Sequence, residues 1–176
     1  ITITKIDALA GIVTVTRAGT DLINGAATTF VLRYVNDSVT LRAIYGGGWA
    51  VIASVQEEAG TFTPAVLFDT PGTYSAASAY GFYNRINKVV TFNLYLSFTK
   101  GTASGNATVT GLPFTSKSGT GRYYNASVGG FTGITIGAGK QLSGYIIGGT
   151  TVVTLLFSGA TSATLTGADI GAGTIL

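Results

Sequence analysis

The fold of this chain is decided by residues 89–98, which read Val-Val-Thr-Phe-Asn-Leu-Tyr-Leu-Ser-Phe. Every second residue from Val90 to Phe98 is apolar, and Thr, Asn, Tyr and Ser stand between them. Successive side chains of a β-strand point to opposite faces, so this alternation predicts a long strand with one face in a core. Helical periodicity is missing from nearly all of the chain. The pattern therefore predicts an all-β fold.

Short strand candidates separated by turn residues fill the rest of the chain. The breaks between them are rich in Gly, Asn and Ser, as at Asn24-Gly25 and Gly119-Thr120-Gly121, and such residues suit the positive φ angles of tight turns. Many short strands with regular turns indicate a sandwich, barrel or prism. Besides 89–98, the predicted strands are 1–6, 11–16, 28–34, 38–44, 49–54, 61–68, 106–112, 131–136, 143–147, 150–157 and 162–166.

The chain carries little charge for its length. Charged residues make up 10% of its 176 residues, against about 25% in a typical soluble domain. No run of 18 apolar residues occurs, so we expect no membrane-spanning helix. The low charge favours self-association, which would cover part of the surface. The lack of Met and a strand-like start at Ile1 favour a piece taken from the C-terminal part of a longer chain.

Residues 150–157 are apolar on both faces of the predicted strand. Val153, Leu155 and Phe157 fall on one side, and Val152 and Leu156 fall on the other. A single antiparallel sandwich leaves one face of a strand in water. The second face is therefore expected to lie against another subunit near a symmetry axis, or else under a loop of the same chain.

A domain boundary is predicted at residues 54–60, the most polar run in the chain. This run is interpreted as a linker, so the predicted units are residues 1–56 and 57–176. Glu57 and Glu58 are adjacent and would point to opposite sides of a strand, which argues against a shared acid–base role. Both are expected to be solvated linker charges.

Several kinds of chemistry are excluded or disfavoured by composition. The chain contains no His and no Cys, so Ser-His and Cys-His nucleophiles and His or Cys zinc sites are excluded within it. A glycosidase needs two carboxylates about 5–10 Å apart, and the seven acids here are scattered, several of them in turns. Lys and Arg are also scattered, which disfavours nucleic-acid binding. We therefore expect no enzyme activity, no cofactor, no metal and no nucleic-acid partner.

Two groups of motifs resemble proteins of bacteriophage fibres. The first group is Val13-Thr14-Val15-Thr16, Asp21-Leu22-Ile23-Asn24-Gly25-Ala26, Ser38-Val39-Thr40-Leu41 and Gly48-Trp49-Ala50-Val51-Ile52. It is similar to a small β module of phage tail fibres and tailspikes. In this pattern Asn24-Gly25 is a hairpin signal, and Trp49 is either a packed anchor or a sugar-stacking ring.

The second group covers the remainder of the chain. It includes Gly60-Thr61-Phe62-Thr63-Pro64, Gly81-Phe82-Tyr83-Asn84-Arg85-Ile86, Val89-Val90-Thr91-Phe92 and Gly111-Leu112-Pro113-Phe114. These motifs resemble the C-terminal jelly-roll knob of phage receptor-binding proteins, with Asn87 in place of the usual Gly.

The resemblance implies a fold, a partner and a place of action. The implied fold is a small N-terminal β module, prism- or helix-like in a trimer, followed by an antiparallel jelly-roll sandwich. The implied protein is a homotrimer at the tip of a virion tail fibre that binds a bacterial surface glycan or envelope protein without catalysis.

Aromatic residues beside amides and hydroxyls are the candidate contact residues, because sugar rings have apolar C–H faces and polar edges. The richest stretch is 117–125, and the second is 74–83. Tyr123 and Tyr124 are adjacent, so at most one of them faces a ligand if the segment is extended. The predicted ligand-binding residues are Arg122, Tyr123, Tyr124, Asn125, Tyr80 and Tyr83.

Two other functions fit the same sequence. The chain could be a purely structural trimerisation tip of a fibre, or the non-catalytic C-terminal part of a polysaccharide-degrading tailspike. Binding of the isolated chain to host cells separates a receptor-binding tip from a structural one.

Overall fold

The computed structural model of the chain describes residues 1–7, 11–159 and 161–176, and it is built from antiparallel β-sheets. Strands contain 57% of the residues. The described residues hold no α-helix, and a single 3-10 turn covers Gly167–Asp169. The predicted all-β fold is confirmed. No helix among these residues is long and apolar enough to cross a membrane.

The chain divides into two compact units. The first contains Ile1–Gly60 together with Asn84–Thr91, and the second contains Thr61–Tyr83 and Phe92–Leu176. Along the chain, the boundary between the two units falls after Gly60. The tip of the hairpin at 84–91 belongs to the first unit. Residues 8–10, inside the predicted 1–56 module, lie outside the described part of the chain.

The first unit contains a three-stranded sheet and a two-stranded sheet. The three-stranded sheet has the order β1-β4-β5, and β2 pairs with β3. Four buried residues, Ile23, Leu32, Val39 and Leu41, form its core, and Trp49 packs against them. Trp49 is therefore a packed anchor. The strand bounds are β1 Thr2–Thr4, β2 Val13–Thr16, β3 Thr29–Leu32, β4 Ser38–Ala43 and β5 Trp49–Val55.

The Asn24-Gly25 turn is tied directly to β5. Asn24 and Gly25 have φ angles of 53° and 73°, which Asn and Gly tolerate better than other residues. The backbone N–H of Ala27 donates to the carbonyl of Ile23 at 2.9 Å, closing the predicted turn. The side-chain oxygen of Asn24 then accepts a hydrogen bond from the N–H of Val51 at 2.8 Å. The turn thus positions β5 as well as reversing the chain.

Asp37 is the polar centre of the first unit. Its side chain is fully buried. One carboxylate oxygen accepts hydrogen bonds from the backbone N–H groups of Arg33 and Tyr34, at 2.7 and 2.9 Å. The other accepts from the N–H of Glu57 at 2.8 Å. Asp37 thus serves the backbone of the turn that precedes it, and its side chain also reaches a segment 20 residues away.

The predicted linker at 54–60 is wrong. β5 continues to Val55, and β6 (Glu57–Phe62) starts two residues later. The polar side chains of this run are used within the first unit: Glu58 forms an ion pair with Arg85 at 3.3 Å, and Asn87 exchanges hydrogen bonds with the backbone of Gln56. Glu58 is therefore not a solvated linker charge. The run is polar because its residues pair with the polar side chains of Arg85 and Asn87.

The second unit contains two sheets, and β6, β8 and β9 each carry residues of both units. One sheet has the order β11-β13-β14-β10-β7, with β15 added beside β14, and the other has the order β12-β16-β9-β8-β6. The strand bounds are β7 Ala65–Thr70, β8 Tyr74–Ile86, β9 Val89–Lys100, β10 Ser104–Thr110, β11 Tyr123–Ser127, β12 Thr132–Ile134, β13 Gln141–Ile147, β14 Val153–Ser158, β15 Ala163–Thr164 and β16 Ile170–Ile175.

The two sheets of the second unit bury one shared core. Leu96 and Phe98 of β9 belong to the same buried cluster as Val109 of β10 and Leu155 of β14. Two sheets that bury side chains against each other in this way form a β-sandwich. The alternation that predicted β9 is confirmed, since Leu96 and Phe98 face this core. The jelly-roll connectivity stays a prediction.

Three strands were not predicted, and one predicted strand is divided. β8, β11 and β16 were missed. β8 is the longest strand of the chain, and its first half, Ser75–Ala79, consists of Ser and Ala, which have little β propensity. The predicted strand 61–68 is in fact the end of β6 and the start of β7. Pro64 stands between them, since proline lacks the N–H that a sheet requires.

The segment predicted as 150–157 starts as a strand at Val153 and lies inside its sheet. Val153, Leu155 and Phe157 are buried in the core of the second unit. Leu156, on the other face, is half-buried and lies opposite Ser143 on one side and Thr164 on the other. Leu156 is thus flanked within the sheet by β13 and β15, and the expected cover over its face stays a prediction.

Substituting Asp37 with Asn should destabilise the first unit specifically. An amide offers one acceptor oxygen, so at least one of the three bound N–H groups loses its acceptor, which costs about 1–3 kcal/mol when the group is buried. Trp49 is the single tryptophan and lies in the first unit, so urea unfolding followed by its fluorescence measures this loss. Asp69→Asn, an exposed carboxylate of the second unit, should leave the Trp49 transition unchanged. An equal midpoint for Asp37→Asn and the parent chain would contradict the role assigned to Asp37.

Candidate functional site

The stretch 117–125 forms a tight turn followed by the edge strand β11. The backbone N–H of Arg122 donates to the carbonyl of Gly119 at 3.3 Å, and Gly121 has a φ of 70°. The chain then enters β11, which pairs only with β13 among the described strands. Because side chains alternate along a strand, Tyr123 and Asn125 face outward while Tyr124 and Ala126 face the core.

Tyr123 is the exposed member of the tyrosine pair. Its side chain is 66% exposed, and its ring meets the ring of Tyr145 edge to face, with centroids 5.4 Å apart. Asn125 lies directly opposite Tyr145, and Ile147 lies directly opposite Tyr123. We call Tyr123, Asn125, Tyr145 and Ile147 the Tyr123 face. It presents aromatic rings and an amide on one side of the sheet.

Tyr124 is held within the fold. Its ring packs against the core of the second unit. Its hydroxyl donates a hydrogen bond to the carbonyl of Lys117 at 3.1 Å, which ties the turn to the strand. Tyr124 therefore supports the turn that carries Arg122, and Tyr123 is the ring available to a ligand.

Tyr80 belongs to a second aromatic surface on the other sheet. It is 53% exposed and stacks on Tyr95 with centroids 5.0 Å apart and an angle of 16° between the rings. Phe82, two residues further along β8, is on the same face and equally exposed. We call Tyr80, Phe82 and Tyr95 the Tyr80 face. Tyr83 points to the opposite side of β8, where its ring meets Phe114 edge to face at 5.0 Å.

The six predicted contact residues therefore do not form one group. Tyr123 and Asn125 come together at the Tyr123 face, Arg122 lies in the turn before β11, and Tyr80 lies on the outer face of the other sheet. Since the two sheets pack through their inner faces, their outer faces lie on opposite sides of the sandwich. Tyr124 and Tyr83 pack against other side chains or backbone of the second unit, and neither belongs to the Tyr123 face or the Tyr80 face.

Four residues of these surfaces were not predicted: Tyr145, Ile147, Phe82 and Tyr95. Tyr145 is close to Tyr123 only because β11 and β13 pair in one particular register. The sequence offered one indirect signal, since Tyr145 lies in the predicted strand 143–147. Tyr95 had a clearer signal, because it occupies the outward face of the alternating segment 89–98.

The acids of the second unit are used by neighbouring side chains. Asp69 accepts a hydrogen bond from the amide of Asn106 at 2.7 Å, and Asp169 accepts one from the hydroxyl of Thr166 at 2.7 Å. No group of three or more His, Cys, Asp or Glu residues suited to a metal ion occurs among the described residues. The Tyr123 face is equipped for stacking and hydrogen bonding, which are the interactions of a recognition surface.

In comparisons with models of protein families, with curated proteins and with solved structures, nothing matches the chain. The resemblance to phage fibre proteins stays a prediction, and the function is argued from the Tyr123 face and its surroundings.

Alanine substitutions should distinguish the two adjacent tyrosines by stability. Tyr124→Ala removes a half-buried ring and a hydrogen bond, and should lower the free energy of unfolding by about 2–3 kcal/mol, less than the loss for a fully buried ring. Tyr123→Ala removes a mainly solvated ring and should cost less than about 1 kcal/mol. Urea unfolding followed by far-ultraviolet circular dichroism measures both. Equal losses for the two variants would mean that Tyr123 is also a structural residue.

Proposed function

We propose that the second unit binds a glycan of the bacterial cell surface without chemical turnover, as the receptor-binding tip of a bacteriophage tail fibre or tailspike. The observation that carries the proposal is Tyr123, a ring 66% exposed beside Tyr145 and Asn125 in a unit that already buries a core of its own. Such a ring contributes little to the fold, so its exposure is available for recognition.

The chemistry of the Tyr123 face suits a sugar. A pyranose presents an apolar C–H face that packs on an aromatic ring, while its hydroxyl groups need hydrogen-bond partners. Tyrosine combines a flat apolar body with a hydroxyl group, and Asn125 adds an amide with two donors and one acceptor. A few polar groups placed around apolar surface are typical of ligand sites. The flat sheet surface suits a long polysaccharide better than a small isolated molecule.

The placement at a fibre tip is supported by the sequence motifs and by the architecture of the second unit. The motifs of residues 12–52 and 60–114 resemble the β module and the knob of fibre proteins, and the second unit is a β-sandwich, the architecture to which a jelly roll belongs. In this proposal the chain is a homotrimer on the virion. Three weak glycan sites on one tip would then bind together with higher avidity than one.

A purely structural fibre tip is the second candidate function. It is favoured by the exposed apolar residues of the first unit, which suit assembly and have no evident role in sugar binding. The two candidates differ in one measurable property, because a structural tip has no glycan affinity.

Binding to bacterial surface polysaccharides should depend on Tyr123. The experiment uses the intact chain on an array of purified capsular, lipopolysaccharide and cell-wall polysaccharides, followed by titration of the best binder. We expect Tyr123→Ala and Asn125→Ala each to weaken binding roughly ten-fold or more, which corresponds to about 1.4 kcal/mol.

Leu67→Ala is the matched control for this experiment. Leu67 is also exposed on the same sheet, but on β7, four strand spacings or about 19 Å from β11. It should bind like the parent chain. Tyr80→Ala tests the other surface, so a loss confined to that variant would move the site to the Tyr80 face. Absence of binding to every polysaccharide would favour the structural tip.

A further inference from the structure

A groove of about 710 Å³ lies on the surface of the first unit, at the hairpin tip of residues 84–91. Four apolar side chains line it, Ile12, Tyr34, Val35 and Ile86, and each is between 39% and 55% exposed. Ala59 and six polar or charged residues complete the lining: Arg33, Asn36, Glu57, Glu58, Asn84 and Arg85. The groove therefore combines apolar side chains with charges of both signs.

The charges of the groove are balanced but only partly paired. Glu58 forms an ion pair with Arg85 at 3.3 Å and accepts a hydrogen bond from the hydroxyl of Tyr34. Burial raises the pKa of the Tyr34 phenol above its ordinary value, and the Glu58 carboxylate raises it further, so Tyr34 stays a donor. Arg33 and Glu57 also line the groove, and neither side-chain charge has a partner among the described residues. One positive and one negative charge thus remain to be paired.

The first unit has a surplus of exposed apolar surface. Of the eighteen large hydrophobic residues exposed in the described part of the chain, twelve belong to the first unit. Its core contains four buried residues, against fifteen in the core of the second unit. A small unit with so few buried side chains is marginal by itself, and exposed apolar patches of this kind mark interaction surfaces.

We infer that the groove receives a second copy of this chain, and that it is a main contact of the homo-oligomer on which this inference rests. Apolar surface this extensive needs cover whenever the unit is folded, and a second copy is the one partner always present in equal amount. The unpaired Arg33 and Glu57 supply both signs of charge, so identical surfaces can complement each other across the interface. This assigns the self-association surface to residues of the first unit and not to residues 150–157.

Photo-cross-linking tests the occupant directly. A photoreactive benzoylphenylalanine placed at position 86 of the intact chain should, on irradiation, give a product of twice the 17.9 kDa chain mass, with the cross-linked peptide mapping to a second copy. The same residue placed at position 67, which is also exposed but lies in the second unit, is the control and should give little of this product. No second-copy product at position 86 in a chain that is oligomeric would overturn the inference.

Charge and apolar variants test the energetics by light scattering. Ile86→Asp, Arg33→Glu and Glu57→Arg should each shift the chain toward the 17.9 kDa species, while Leu67→Asp should not. The double variant Arg33→Glu with Glu57→Arg should recover at least part of the assembly, because the two charges exchange places across the interface. Recovery also shows that the double variant is folded, and far-ultraviolet circular dichroism checks the folding of each single variant.

The outcomes separate this inference from the proposed function. Assembly that is unaffected by all three groove variants would overturn the groove contact and leave the oligomer itself in place. A parent chain that stays at 17.9 kDa on concentration would remove both the oligomer and the groove contact. Glycan binding through Tyr123 is measured separately and would be unaffected by either result.

Discussion

The buried carboxylate of Asp37 is the constraint on which the first unit depends. A buried hydrogen-bonding group without a partner costs about 1–3 kcal/mol, and the fully buried carboxylate of Asp37 is satisfied by three backbone N–H groups, those of Arg33, Tyr34 and Glu57. Its own carbonyl accepts from the N–H of Lys5 at 2.9 Å. One residue thus fixes the end of β3, the start of β6 and the segment after β1. The groove is lined by the same three residues, Arg33, Tyr34 and Glu57. The hydrogen bonds of Asp37 to their backbone therefore help to fix the geometry of the groove.

The parts of the fold that could be predicted are those in which a segment carries its own pattern. β9 alternates apolar and polar residues, and its inward side chains reach the core as expected. β8 carries no such pattern in Ser75–Ala79, so its strand state comes from pairing with neighbours rather than from local preference. The polar run at 54–60 was wrongly predicted as a linker for the same reason. Its partners Asp37, Arg85 and Asn87 are distant in sequence, so the residues of the run by themselves do not indicate them.

The candidate site shows the same division between local and non-local information. Alternation indicated that Tyr123 and Tyr124 face opposite ways if the segment is extended, but β11 itself was not predicted. Which of the two faces outward depends on which side of the sheet is covered, and that is decided by the sandwich. Tyr145 completes the surface only through the register of β11 against β13. A shift of one residue would carry it to the opposite face.

Exposed apolar and aromatic side chains have different meanings in the two units. In the second unit the sheets bury fifteen residues in a shared core, and the exposed rings of Tyr123 and Tyr80 lie outside that core. In the first unit the core is four residues, while Ile12 and Ile86 are exposed. Since apolar burial is worth about 25 cal/mol per Å², the first unit would gain most if copies of the chain associated. Under the proposed function, the first unit would join copies whose second units carry the ligand sites, which is the arrangement that multivalent binding requires.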